Sequence, residues 1–181
     1  NLVRMHNKKP KIVASIEARM SSSRLPGKVL EKIGEYSALE FLIKRLQRSK
    51  TLDDIIVATT DSPEDIQIVE LCNKMKINYF CGSKNNVLNR VVEAHKSLGT
   101  DVIVEITGDC PLTDPNIVDI GVETFLLNDC DMVTNCEKEN FLEGIYVQVF
   151  NFSALDKVDR EINDPAVQEH VSLYFYENPK E

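Results

Sequence analysis

Short apolar runs alternate with amphipathic stretches along most of this chain, and that alternation constrains its fold more than any other feature. The runs are Ile12-Val13-Ala14-Ser15-Ile16, Ile55 to Thr60, Ile77-Asn78-Tyr79-Phe80 and Val102 to Thr107. Rich in β-branched residues, they read as strands, the first two as buried ones. Between them lie helical patterns. Ser37-Ala38-Leu39-Glu40 has the form of a capping box, and Leu39, Leu42, Ile43 and Leu46 follow at helical spacing. Ser62 with Pro63 opens a second helix, striped by Ile68, Leu71, Cys72 and Met75. Leu88, Val91, Val92 and His95 mark a third helix after Gly82, and Pro115 starts a fourth. Strand and helix in this order predict a parallel sheet with helices on both faces. The last third differs. Asp131-Met132-Val133-Thr134 reads as a strand, Ile145 to Phe150 alternates as an edge or hairpin strand would, and helices follow from Ser153 and Asp164. A mixed sheet is the expected outcome. The 181 residues make one domain. Residues 1–10 read as a tag or flexible segment and 11–181 as the folded unit, expected to be truncated at its C-terminus.

The loop after the first strand carries the densest chemistry. Ala18-Arg19-Met20-Ser21-Ser22-Ser23-Arg24-Leu25-Pro26-Gly27-Lys28 joins three cations to small hydroxyl residues and a Pro-Gly turn. Small residues let backbone N–H groups approach an anion, and Arg19, Arg24 and Lys28 supply positive charge suited to a polyphosphate. Without a strand before it, such a loop would read as solvated surface. The chain has neither G-x-G-x-x-G nor a Ser or Thr after Lys28, so neither a dinucleotide fingerprint nor a Walker loop is present.

A net charge of −8 argues against a nucleic-acid partner, which needs a broad basic surface. Positive charge gathers instead between Arg19 and Lys50, as a small polyanion held at one mouth requires. Five cysteines without a C-x-x-C pair argue against a zinc site or disulfide framework and point to a reducing, cytoplasmic setting. No run is long enough for a membrane span, so no membrane partner is expected.

In a parallel sheet the loops after strands one, two and four open at one edge, so Arg19 to Lys28, Thr59 to Asp61 and Gly108 to Pro111 should converge. Asp109 then lies beside a polyphosphate, where a cation must partner it. Magnesium, bound through one carboxylate, waters and phosphate oxygens, meets that need. The plainer alternative is a turn residue capping the Gly108-Asp109-Cys110-Pro111 bend.

Five segments together resemble a known family: A-R-M-S-S-S-R-L-P-G-K-V-L at Ala18 to Leu30, V-A-T-T at Val57 to Thr60, Gly82-Ser83 with V-L-x-R at Val87 to Arg90, I-T-G-D-C-P-L at Ile106 to Leu112, and Glu169-His170-Val171. They are similar to the cytidylyltransferases, in the branch of spore coat polysaccharide biosynthesis protein F, related to the acylneuraminate and 3-deoxy-manno-octulosonate enzymes. The resemblance spans Lys11 to Pro179. It implies a three-layer αβα Rossmann-like nucleotidyltransferase fold of the nucleotide-diphospho-sugar transferase type, with a mostly parallel mixed sheet. It implies transfer of a nucleoside monophosphate, CMP from CTP, to a sugar or sugar acid with release of pyrophosphate, in surface polysaccharide synthesis. Arg19 and Lys28 would hold the triphosphate, with Arg24 helping, and Asp109 would hold Mg2+. Ala18, Met20, Ser22 and Ser23 would line the nucleotide loop, with Thr59, Thr60, Gly82 and Arg90 near base and ribose. A homodimer is implied by the same analogy, with the Ile145 to Phe150 strand as contact.

Departures from the family pattern accompany the matches. Gly144-Ile145-Tyr146-Val147-Gln148-Val149-Phe150 stands where this branch has G-L-D-V-E-V-F, so a phenol and an amide replace two carboxylates. Lys84 to Arg90 carries Lys and Asn where relatives have acids, and Ser21 replaces a common glycine. One reading is a pocket for a different, more acidic acceptor; another is a nucleotide-binding module with weakened catalysis. A nucleotide-sugar-dependent glycosyltransferase ranks third, because its D-x-D pair belongs at a strand end and Asp129-Cys130-Asp131 precedes one. His95 reads as a core histidine, His170 equally as packing or site lining, and Cys110 as a small filler rather than a nucleophile.

Overall fold

Apolar side chains on both faces of a strand can be buried only in the interior of a sheet, and the runs found in the sequence occupy that place. The computed structural model describes residues 9–22, 24–136 and 141–179. Its strands are β1 (Ile12–Glu17), β2 (Lys32–Ile33), β3 (Tyr36–Ser37), β4 (Asp54–Thr60), β5 (Asn78–Gly82), β6 (Val102–Thr107), β7 (Met132–Thr134) and β8 (Gln148–Asn151). Six of them form one sheet in the order β5-β4-β1-β6-β8-β7, and β2 and β3 make a separate small hairpin. β5, β4, β1 and β6 pair in parallel, while β8 is antiparallel to both β6 and β7. The helices are α1 (Ala38–Leu46), α2 (Ile66–Met75), α3 (Val87–Leu98), α4 (Pro115–Leu127), α5 (Phe152–Glu161), α6 (Pro165–Glu169) and α7 (Leu173–Glu177).

The two-residue repeat of a strand divides the core into two layers. Ile12, Ala14, Ile16, Val57, Val104 and Ile106 meet α1, α2 and α4 on one face. Val13, Ile56, Ala58, Ile103 and Phe150 meet α3, α5, α6 and α7 on the other. Three layers with a mostly parallel mixed sheet result, as the sequence predicts. Ser37 caps α1 as expected, its hydroxyl accepting from the Glu40 N–H at 3.2 Å. Ser62 makes no such bond: Pro63 to Asp65 form a single tight turn, and α2 begins at Ile66.

The Ile145 to Phe150 stretch, expected as an edge or hairpin strand, supplies β8: it pairs antiparallel with β7, the strand before it, as a hairpin strand does, and it is interior instead of an edge because β6 flanks its other side. Val149 packs into one core layer and Phe150 into the other. Its backbone is therefore committed within the sheet and offers no free edge to a second copy. No helix among the described residues is long and apolar enough to cross a membrane.

Candidate active site

From β1 the chain winds outward to β4 and β5, then returns to place β6 on the other side of β1. Loops leaving β1 and β6 therefore diverge, and the crevice between them is where open α/β sheets bind ligands. A cleft of about 240 Å³ lies there. Glu17, Ala18 and Arg19 bring the end of β1 to it, and Thr107, Gly108 and Asp109 the end of β6. Only glycine fits at 108: its N–H donates to the Glu17 carbonyl at 2.8 Å, and a Cβ would stand 2.6 Å from that same oxygen.

Met20 pivots the cationic loop. Its carbonyl accepts from the N–H groups of Ser22 at 2.9 Å and Gly27 at 2.8 Å, folding the loop back on itself. Gly27 has φ 76°, the left-handed conformation that turns the chain into the short helical turn begun by Lys28. The Lys28 ammonium thereby reaches the Asp109 carboxylate at 2.5 Å. Burial alone would raise the Asp109 pKa, but the hydrogen bond and charge of Lys28, helped by the Thr107 hydroxyl, hold it below the ordinary carboxylate value. Ser22, Arg24 and Lys28 line the cleft beside Arg19, whose guanidinium donates to the Lys84 carbonyl at 3.4 Å. Arg19, Lys28 and Asp109 thus converge as the sequence predicts. Ser23 lies outside the described residues.

Other predicted positions are placed elsewhere. Thr59 and Thr60 are buried and do not line the cleft. The Thr60 hydroxyl and N–H donate to Asp65, which also accepts the Met20 N–H at 2.7 Å. Met20 packs against a core layer instead of facing the cleft. Gly82 is confined by Phe80 and Arg90, which a Cβ would meet at 2.9 and 3.1 Å. Arg90 does line the cleft, as a guanidinium only 2% exposed. It donates to the Ser83 carbonyl, and its Nε has no partner. The Asn residues at the start of α3 serve structure: the Asn86 side chain accepts from the Asn89 N–H at 2.9 Å, and Asn89 donates to Asp159 at 2.9 Å. His95 is fully buried against Thr100, at 3.2 Å, and burial pushes its pKa down to about 3. Burial pushes the Cys110 thiol up, away from a reactive thiolate.

Several site residues escaped the sequence reading. Glu17 and Glu105 pair side chain to side chain, Glu17 lining the cleft and Glu105 the cavity beside it; burial raises both pKa values, Glu105 the further. Arg90 and Arg19 pull Glu17 partly back down. Asp65 is 1% exposed and ties the cationic loop to the end of β4. Local sequence gives no signal for these contacts, since each joins residues from separate strands or turns. α6 ends at Glu169, and buried Val167 and Val171 pin the turn that sets Glu169 and His170 over the cleft.

Beside the first cleft lies a second cavity of about 210 Å³. Glu17, Thr107, Glu169 and His170 line both, while Glu105, Tyr146, Gln148 and Ser172 line only the second. Tyr146 and Gln148 therefore belong to this cavity. Gln148 donates to the Tyr176 hydroxyl at 2.7 Å, which is 3.0 Å from the Thr134 hydroxyl. With an amide and a phenol at these two positions, the carboxyls that line the cavity are those of Glu17, Glu105 and Glu169, and no lysine or arginine lines it among the described residues.

Asp109 is a half-exposed carboxylate beside the cleft that Arg19, Arg24 and Lys28 line, a hard oxygen donor of the kind magnesium takes together with waters and phosphate oxygens. Among the described residues no three His, Cys, Asp or Glu side chains form a ready-made metal cage.

The sequence matches the cytidylyltransferase family over residues 13–181. It is 47% identical over 169 residues to an uncharacterized protein of Methanocaldococcus jannaschii, covering 93% of this chain and 68% of that protein. Identity to the spore coat polysaccharide biosynthesis protein SpsF of Bacillus subtilis is 33% over 173 residues, covering 93% and 71%. Among solved structures, a cytidylyltransferase from Leptospira borgpetersenii superposes with a TM-score of 0.91 at 36% identity, covering 95% of this chain and 73% of that one. CMP:2-keto-3-deoxy-manno-octonic acid synthetase complexed with CTP superposes at 0.73 with 16% identity, covering 93% and 86%, a likeness of fold.

Proposed function

This chain belongs to the cytidylyltransferase family, and from that premise we propose that it transfers CMP from CTP to a hydroxyl of a sugar or sugar acid, in the synthesis of a surface glycan. The observation that carries the reading is the convergence of Arg19, Lys28 and Asp109 on one cleft at the switch point between β1 and β6. Arg19, Arg24 and Lys28 neutralise the triphosphate, and loop N–H groups position it. The acceptor oxygen bonds to the α-phosphorus, the bond to the β-phosphate oxygen breaks, and pyrophosphate leaves as the hydroxyl proton is released. Asp109 would hold magnesium, which when bound would supply further neutralisation of phosphate charge. Positioning and charge carry such a reaction more than an acid–base pair does. In this scheme Gln148, bonded to Tyr176, serves the acceptor side instead of metal binding.

Pyrophosphate release tests the proposal. The protein is incubated with magnesium, each nucleoside triphosphate in turn, and 2-keto sugar acids or neutral sugars. Release with CTP and one acceptor class is expected; absence of release with every pair, from folded protein, refutes it.

A further inference from the structure

Side chains in register across the sheet change character toward its carboxyl end. Val13, Ile103, Phe150 and Met132 form an apolar row across β1, β6, β8 and β7. Two residues further along, Ser15, Glu105, Gln148 and Thr134 form the next row on the same face. A polar row inside a core layer is costly unless its groups are satisfied. This row is incompletely so. The Ser15 hydroxyl is fully buried without a hydrogen-bond partner, and Glu105 is 6% exposed with another carboxyl, Glu17, bonded to it. The Gln148 amide NH2 donates to the Tyr176 hydroxyl and the Cys136 sulfur. The cations of the first cleft, Arg90 and Arg19, act on Glu17. Two adjoining compartments result: one into which Arg19, Arg24, Lys28 and Arg90 converge, and a carboxyl-lined one bounded by Glu17, Glu105 and Glu169.

We propose that the acidic cavity seats an amine-bearing part of the acceptor, so that the sugar receiving the nucleotide is an amino sugar whose ammonium group donates to the carboxyls of Glu105 and Glu169. The inference rests on the nucleotidyl-transfer reading of the adjoining cleft and adds the chemical class of its acceptor. An ammonium supplies both what the floor lacks, positive charge and hydrogen-bond donors. A neutral polyol supplies the donors alone. A carboxylate at the same place faces carboxyls with no lysine or arginine beside it, so any acid group the acceptor carries must point out of this cavity.

Ligand-observed NMR titration of the whole chain with D-glucosamine, D-glucose and D-glucuronate, with and without CTP and magnesium, tests it. Glucosamine is expected to bind about fivefold or more tighter than glucose, as charged hydrogen bonds exceed neutral ones, with glucuronate weakest. Glu105→Gln keeps a partner for Glu17 and removes the carboxyl that an ammonium would ionise and bind; it should erase the amine preference while CTP still binds. Equal binding of the three sugars, a preference for glucuronate, or an amine preference untouched in Glu105→Gln overturns the proposal. CTP binding without amine preference sinks the acceptor assignment alone. Amine preference without CTP binding keeps the cavity and sinks the nucleotide reading. The wild-type panel stands by itself if the variant fails to fold.

Discussion

Asp65→Asn separates the geometry of the cationic loop from its charge. The wild-type carboxylate, 1% exposed, accepts from the Met20 N–H at 2.7 Å on one oxygen and from the Thr60 N–H and hydroxyl on the other. An amide has one oxygen. Placed toward Thr60, it turns an NH2 group against the Met20 N–H, leaving a buried donor without an acceptor. That costs about 1–3 kcal/mol, and losing the charge from the remaining bonds adds roughly 1 kcal/mol. The thermal midpoint should fall by about 5–15 °C for a domain of this size. Met20 is also where the loop folds back, through its bonds from Ser22 and Gly27. A freed pivot should weaken CTP binding by roughly tenfold, about 1.4 kcal/mol. Simple Coulomb reasoning predicts the opposite, since the substitution removes a negative charge near a triphosphate. Differential scanning fluorimetry and calorimetric titration with CTP read both quantities. Glu64→Gln, the same charge change at an exposed residue facing Lys84 at 3.8 Å, is the control and should move either by less than about 0.5 kcal/mol. CTP binding that is unchanged or tighter in Asp65→Asn refutes the anchoring argument.

Gly108→Ala sets a Cβ 2.6 Å from the Glu17 carbonyl, so the β6 loop must shift and carry Asp109 with it. A loss of about 1–3 kcal/mol in stability is expected from denaturant melts, with weaker magnesium-dependent CTP binding. Lys28→Met removes a phosphate ligand and leaves Asp109 unpaired. CTP affinity should drop by about 10–100-fold, and undiminished affinity would remove the loop from the site. For His95 the folded pKa of about 3 lies below the unfolded value of about 6.5. Between these values the unfolded chain binds the extra proton, so stability falls as pH falls. From pH 7 to pH 5 wild type should lose about 2 kcal/mol more than His95→Gln, measured by urea unfolding at both pH values.

The site became legible wherever chemistry sits next to a strand end. Arg19 follows β1 directly and Asp109 follows β6, so parallel pairing alone brings them together. Thr59 and Thr60 stand at the strand end the sequence marks, but both are buried there, and the Thr60 hydroxyl is bonded to Asp65. Glu105 stood in an apolar run and read as part of it, because nothing local shows that Glu17 faces it.

From sequence alone came the α/β alternation, the Ser37 cap, the cationic loop and the carboxylate opposite it, all governed by residue type and local periodicity. Tertiary structure alone decided that β8 inserts between β6 and β7, that Asp65 anchors the loop, and that three glutamates turn a cavity acidic. Those features depend on which distant strands lie side by side and in what register. Pairing energy accrues only after the chain has closed those loops, so no local propensity records it.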